Sequence, residues 1–130
     1  MELRTGTETI LVVDDEEMIK DIARDILSRY GYRVLTAGGG KEAVEVYRRH
    51  KKEISVVVLD IVMPDVGGRE VFRRIREVDP AARVIIASGY HKERDANDLL
   101  REGAVRFVQK PYRIASLVGM VGEVLEKGKE

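Results

Sequence analysis

Five residues could act on a common substrate: Asp14, Asp15, Asp60, Ser88 and Lys110. Each lies at the end of a short apolar run. Ile10 to Val13 precedes the paired aspartates, Ile54 to Leu59 precedes Asp60, Val84 to Ala87 precedes Ser88, and Val105 to Val108 leads to Lys110. Three carboxylates brought together repel one another, and their pKa values rise unless a cation intervenes. Oxygen ligands without histidine or cysteine suit a hard divalent ion, and Mg2+ is the usual choice where phosphate completes the shell. A lysine and a hydroxyl beside them would stabilise the equatorial oxygens of a transferring phosphoryl group. One carboxylate would be the nucleophile, forming an acyl phosphate.

The elements that must position these groups alternate regularly. Met18, Ile19, Ile22, Ala23, Ile26, Leu27 and Tyr30 repeat at helical spacing, and Gly31 stops that helix. Tyr32 to Thr36 reads as a second strand, and Gly38 to Gly40 break the chain before a helix carrying Ala43, Val44 and Tyr47. Ile54 to Leu59 is an unbroken apolar run, as expected of a strand covered on both faces. Pro64 and Gly67-Gly68 form a turn region before a third helix with Val71, Phe72, Ile75 and Val78, which Asp79-Pro80 closes. After the fourth strand, Ala96, Leu99 and Leu100 mark a helix stopped by Gly103. Ile114, Leu117, Val118, Val121, Val124 and Leu125 give the last helix its apolar stripe. Five strands alternating with five helices predict an α/β fold, a doubly wound parallel sheet with helices on both faces. In such sheets ligands bind beyond the carboxyl ends of the strands, where the five polar residues fall.

Composition narrows the function class. A chain of 130 residues is one domain, and 23 Lys+Arg balanced by 23 Asp+Glu supply no broad basic surface for nucleic acid. Without cysteine there is no disulfide framework and no cysteine metal site. No apolar run is long enough to span a bilayer, and Met1 to Thr9 lacks the apolar core of a signal peptide, so the expected location is cytoplasmic. Residues 1–7 and 128–130 are expected to be flexible tails around a domain at 8–127.

Each singled-out residue also has a plainer reading. Asp14 and Asp15 could cap the first helix, Ser88 could form a turn, and Phe107 could be core packing. The basic run at Arg48 to Lys52, which includes His50, reads as a solvated helix end, and His91 could touch an incoming partner. Gly38 to Gly40 followed by Lys41 is not a P-loop, because Leu35 stands where its first glycine would be and Glu42 where its Ser or Thr would be. A haloacid-dehalogenase-like phosphatase would want a second Asp where Val62 stands. A flavodoxin would want a phosphate-cradling loop where the acidic run Asp14 to Glu17 stands.

Val-Val-Asp-Asp-Glu-Glu, Leu-Asp-Ile-Val-Met-Pro-Asp-Val-Gly-Gly, Ala-Ser-Gly-Tyr and Lys-Pro-Tyr, each after its proper strand, resemble the hallmark motifs of response-regulator receiver domains. The resemblance spans Glu8 to Lys127 and implies a flavodoxin-like three-layer sandwich with strand order 2-1-3-4-5. It implies Asp60 as phosphoacceptor, Asp15 as direct Mg2+ ligand, Asp14 as a ligand chiefly through water, and the Val62 backbone carbonyl as a further ligand; Mn2+ could replace Mg2+. Ser88 matches the switch hydroxyl, Lys110 the phosphate-pairing lysine ahead of a cis peptide to Pro111, and Phe107 an aromatic that swings inward. The implied function is a phosphorylation-driven switch, not an enzyme acting on a metabolite, with Mg-dependent autophosphorylation and autodephosphorylation. Its phosphoryl donor would be a sensor histidine kinase or a histidine phosphotransfer domain, and a downstream protein would read its state. The helix 4, strand 5 and helix 5 face would change shape and could support a homodimer. The Gly-Thr-Glu-Thr-Ile-Leu start and the Ser-Gly-Tyr segment also resemble receivers at the C-terminal end of hybrid sensor histidine kinases.

Overall fold

A computed structural model describes residues 3–63, 65–89 and 93–127, the last stretch without the side chains of 93–95. The chain alternates strand and helix: β1 (Thr9–Val13), α1 (Glu17–Arg29), β2 (Arg33–Ala37), α2 (Gly40–His50), β3 (Ile54–Asp60), α3 (Gly68–Val78), β4 (Val84–Ser88), α4 (Glu93–Arg101), β5 (Arg106–Gln109) and α5 (Ile114–Lys127). The five strands form one parallel sheet in the order β2-β1-β3-β4-β5. The expected fold and strand order are both observed.

Period-two alternation sends successive strand residues into two separate cores. Leu11, Val13, Val57, Leu59, Val84 and Ile86 face a cluster built with α2, α3 and α4. Ile10, Val12, Val56, Val58, Ile85 and Ala87 face a second cluster built with α1 and α5. Every residue of β1 and β4 is buried. This explains the unbroken apolar runs: neither face of the inner strands meets water. Polar chemistry is thereby confined to the strand ends.

Asp60 and Ser88 are the last residues of their strands, so both take part in sheet pairing (Asp60 opposite Ala87, Ser88 opposite Gln109). On α1 the buried residues are Lys20, Ala23, Ile26 and Leu27, whereas Met18 is 74% and Ile22 41% exposed. The apolar stripe of that helix is wider than the sheet and α5 can cover.

α1 ends where Gly31 takes a φ of +95°. The Gly31 amide then donates to the Ser28 carbonyl at 3.0 Å, and the Tyr32 amide to that of Leu27 at 3.3 Å. A Cβ at Gly31 would also stand 2.3 Å from the Gly6 carbonyl oxygen, so glycine is required twice over. That contact belongs to a segment read from the sequence as a flexible tail. Here residues 3–7 lie against the body: the Gly6 amide donates to the Tyr30 carbonyl, and Arg4 pairs with Glu8 and Glu126.

Leu11 is fully buried in β1, between β2 and β3. Leu11→Ala is expected to lower the unfolding free energy by about 2–5 kcal/mol, measured by urea titration followed by circular dichroism.

Candidate functional site

The register of the sheet sets the carboxyl ends of β1, β3, β4 and β5 side by side. Asp14 directly follows β1, and its amide still pairs with the sheet by donating to the Ala37 carbonyl at 3.1 Å. Lys110 directly follows β5, and its amide donates to the Ser88 carbonyl at 2.8 Å. Asp60 continues the alternation of Val56 and Val58, and Asp14 that of Ile10 and Val12. Both carboxylates therefore fall on the α1/α5 side of the sheet. Ser88 continues the alternation of Val84 and Ile86, on the opposite side.

The carboxylates of Asp14, Asp15 and Asp60 gather with one oxygen of each within 4.8 Å of the others. Asp14 is fully buried, Asp60 is 3% exposed, and Asp15 is open to solvent. The Lys110 ammonium sits between the two buried acids, 2.7 Å from Asp14 Oδ2 and 3.3 Å from Asp60 Oδ2. Each carboxylate keeps its other oxygen for a backbone amide two residues on: Glu16 N donates to Asp14 Oδ1 at 2.9 Å, and Val62 N to Asp60 Oδ1 at 3.1 Å.

These contacts do not neutralise the pocket. Burial is the main force raising the Asp60 carboxyl, to about 6; the nearby Asp14 charge adds to it, while the Val62 amide and Lys110 oppose it. For Lys110, burial works to lower the pKa, but the hydrogen bond to Asp14 and the charge of Asp60 win and hold it above its ordinary value. Two buried acids thus share one partly buried ammonium, with the exposed Asp15 beside them. The donors are all hard oxygens, with neither histidine nor cysteine among them, which fits a divalent cation of the Mg2+ type.

The remaining sequence candidates lie nearby with less defined contacts. Ser88 is fully buried at the end of β4, its hydroxyl donating to the Gly89 carbonyl at 3.1 Å. Phe107 is half-buried against the α2/α3/α4 core, opposite Ile86. Val62 is half exposed, at 51%. The Lys110–Pro111 peptide is cis, as the family resemblance implied. Pro64 and His91 lie outside the described residues.

Sequence reasoning missed Asp65. Its carboxylate reaches across to the start of α2, where it accepts from Gly40 N at 3.0 Å and Lys41 N at 3.3 Å. Those amide bonds hold its pKa down to about 2. Gly39 has no side-chain cap to offer, so an acid from the loop after β3 caps α2 instead. The triple glycine makes this approach feasible, because a Cβ at Gly40 would stand 2.6 Å from the Val66 Cβ. The glycines dismissed as a P-loop thus receive the loop that follows Asp60. An Asp five residues after a strand, facing a distant Gly-Gly-Gly, carries no pairing signal that a single sequence could reveal.

Among the described residues no helix is long and apolar enough to cross a membrane. The response regulator receiver domain family matches residues 10–122. The chain is 32% identical over 116 residues to the chemotaxis protein CheY of Thermotoga maritima, covering 88% of this chain and 95% of that protein. It is 33% identical over 123 residues to the sensor kinase CckA of Brucella abortus, covering 95% of this chain but only 13% of the kinase. Among solved structures, the CheX–CheY–BeF3–Mg complex from Borrelia burgdorferi superposes with a TM-score of 0.85 at 36% identity, over 90% of this chain and 88% of that one. With the strand order, the acidic pocket and the bridging lysine already in place, this match settles the family: the chain belongs to the response regulator receiver domains, the phosphoacceptor switches of two-component signalling.

Proposed function

We propose that Asp60 is the residue phosphorylated in this receiver, with a phosphohistidine of a sensor kinase or phosphotransfer protein as donor. The observation that carries this reading is the Lys110 ammonium bridging two buried carboxylates, one of which terminates the central strand. Asp14, Asp15, Asp60 and the Val62 carbonyl are the groups that would hold Mg2+. That ion would offset the carboxylate charge and stabilise the phosphoryl oxygens as they accumulate charge. The Borrelia relative is a complex with BeF3 and Mg, which supports the same pairing of metal and phosphoryl mimic here.

An Asp60 carboxylate oxygen attacks phosphorus. The phosphorus–nitrogen bond breaks, its electron pair leaves with the imidazole, and an acyl phosphate remains. Lys110 then follows the new negative charge from Asp14 and Asp60 toward the phosphoryl oxygens. The Ser88 hydroxyl turns from the Gly89 carbonyl to donate to the same group, and Phe107 repacks behind it. Water reverses the modification in time, so the domain resets itself. The α4-β5-α5 face changes shape and is where a downstream protein, or a second copy of the chain, reads the state. The receiver unit occupies residues 8–127.

Incubation with acetyl phosphate and Mg2+ is expected to add one phosphate to the intact mass. No gain, or a gain that survives Asp60→Asn, sinks the assignment. Ser88→Ala and Lys110→Ala should each slow this phosphorylation about 100- to 1000-fold, the usual effect of losing one preorganised donor, as read by the time course of mass gain.

In EDTA the same pocket gives the fold a pH-dependent stability. A carboxyl whose folded pKa is raised stabilises the fold below its unfolded pKa and loses that contribution as pH rises through its folded value. Asp60 moves from 3.8 to about 6. Asp60→Asn should therefore be more stable than the wild type above pH 6, by about 1–3 kcal/mol, and the gap should close below about pH 4. Urea titrations across that range measure it, and added Mg2+ should raise the melting temperature of the wild type more than that of the variant.

A further inference from the structure

Val62, whose carbonyl is one of the groups that would hold Mg2+, stands on the loop between β3 and α3. Its side chain is half exposed and gives the loop little hold. Its amide donates to Asp60 Oδ1, so the direction of its carbonyl depends on the residues that follow. The loop is fixed around it. The Gly68 amide donates to the Ile61 carbonyl at 3.2 Å, and a Cβ at Gly68 would stand 2.4 Å from Ile61 Cα, so glycine lets the two ends meet. Met63 is buried in the α2/α3/α4 core, and Val66 packs on the same core. Between them Asp65 spans to α2, accepting from the Gly40 and Lys41 amides.

Capping α2 does not by itself call for so distant an acid, since a Ser or Asp at position 39 could cap it locally. Instead glycine stands there, and a Cβ at Gly39 would lie 3.0 Å from Asp65 Oδ2. The start of α2 is thus shaped to receive the loop. A neutral carbonyl attracts a cation less than a carboxylate does, and ordering a free loop around the ion would subtract from the binding free energy. We propose that Asp65 is a positioning residue for the metal: by fastening the loop to the first amides of α2, it holds the Val62 carbonyl where Mg2+ can take it as a ligand. The inference rests on the reading of Asp14, Asp15, Asp60 and the Val62 carbonyl as the Mg2+ groups.

The test is titration calorimetry of Mg2+ into the full chain, with no phosphoryl donor present. Asp65→Ala removes both acceptors. Gly40→Ala forces Val66 away without altering any charge, because the new Cβ would stand 2.6 Å from the Val66 Cβ. Each is expected to raise the Mg2+ dissociation constant about tenfold, the lower end of what losing a group behind a metal ligand costs. Asp65→Asn keeps a carboxamide oxygen for the α2 amides and is expected to bind close to wild type. Val44→Ala removes packing beneath α2 but leaves the tie, so it should melt lower and bind Mg2+ like wild type. Wild-type affinity in Asp65→Ala or Gly40→Ala would overturn the proposal and leave the metal reading intact. Equal weakening in Asp65→Asn would assign the effect to lost charge, and equal weakening in Val44→Ala to a loosened fold; either overturns it. A wild type that binds no Mg2+ would remove the metal reading as well.

Discussion

Two carboxylates buried in contact with a single ammonium are the interaction on which the rest of this structure depends. Asp14 and Asp60 are buried at the carboxyl edge of the sheet, with the Lys110 ammonium between them. Two like charges about 4 Å apart at the effective dielectric of a protein interior repel by roughly 4 kcal/mol. One lysine can pair with both acids and still leave Asp60 with a raised pKa. Counting the exposed Asp15, three carboxylates face one ammonium, an imbalance of charge that suits a divalent cation.

The sheet enforces it because its middle is sealed. With β1 and β4 buried along their whole length and two apolar clusters on opposite faces, no polar side chain can be accommodated until the strands run out. The parallel arrangement then makes every inner strand run out at the same edge. Alternation decides the rest, setting Asp14 and Asp60 on the α1/α5 side and Ser88 on the other. A phosphoryl group on Asp60 would therefore be approached from two sides of the sheet, by Lys110 from one and Ser88 from the other.

Around this centre, the loops are tied down by contacts that have no direct part in the chemistry. The loop after Asp60 is fastened to the start of α2 through Asp65, and the triple glycine provides the room. Lys110 serves as counter-ion to Asp14 and Asp60 together, which fixes the segment after β5 to the ends of β1 and β3. The same module accounts for nearly all of a chemotaxis CheY and for 13% of a sensor kinase. That span suits a pocket whose required parts all come from within a single sheet.

The sequence by itself determined the alternation of strands and helices, the polar residues that end the strands, and the family. These are local matters: β-branched runs, helical spacing and motifs are each written in contiguous residues, and buried inner strands demand unbroken apolar runs such as Ile54 to Leu59. The strand order came from the family resemblance, and the structure bears it out. Only the tertiary structure decided which acids are buried, which of them Lys110 bridges, and that the Met18 and Ile22 side chains face solvent. It alone paired Asp65 with Gly40, and among the described residues it left the buried Tyr112 hydroxyl without a partner. The reason is physical: pKa values, ion pairs and unsatisfied donors depend on distance and on the exclusion of water, and residues far apart in the chain acquire both only when the sheet closes over them.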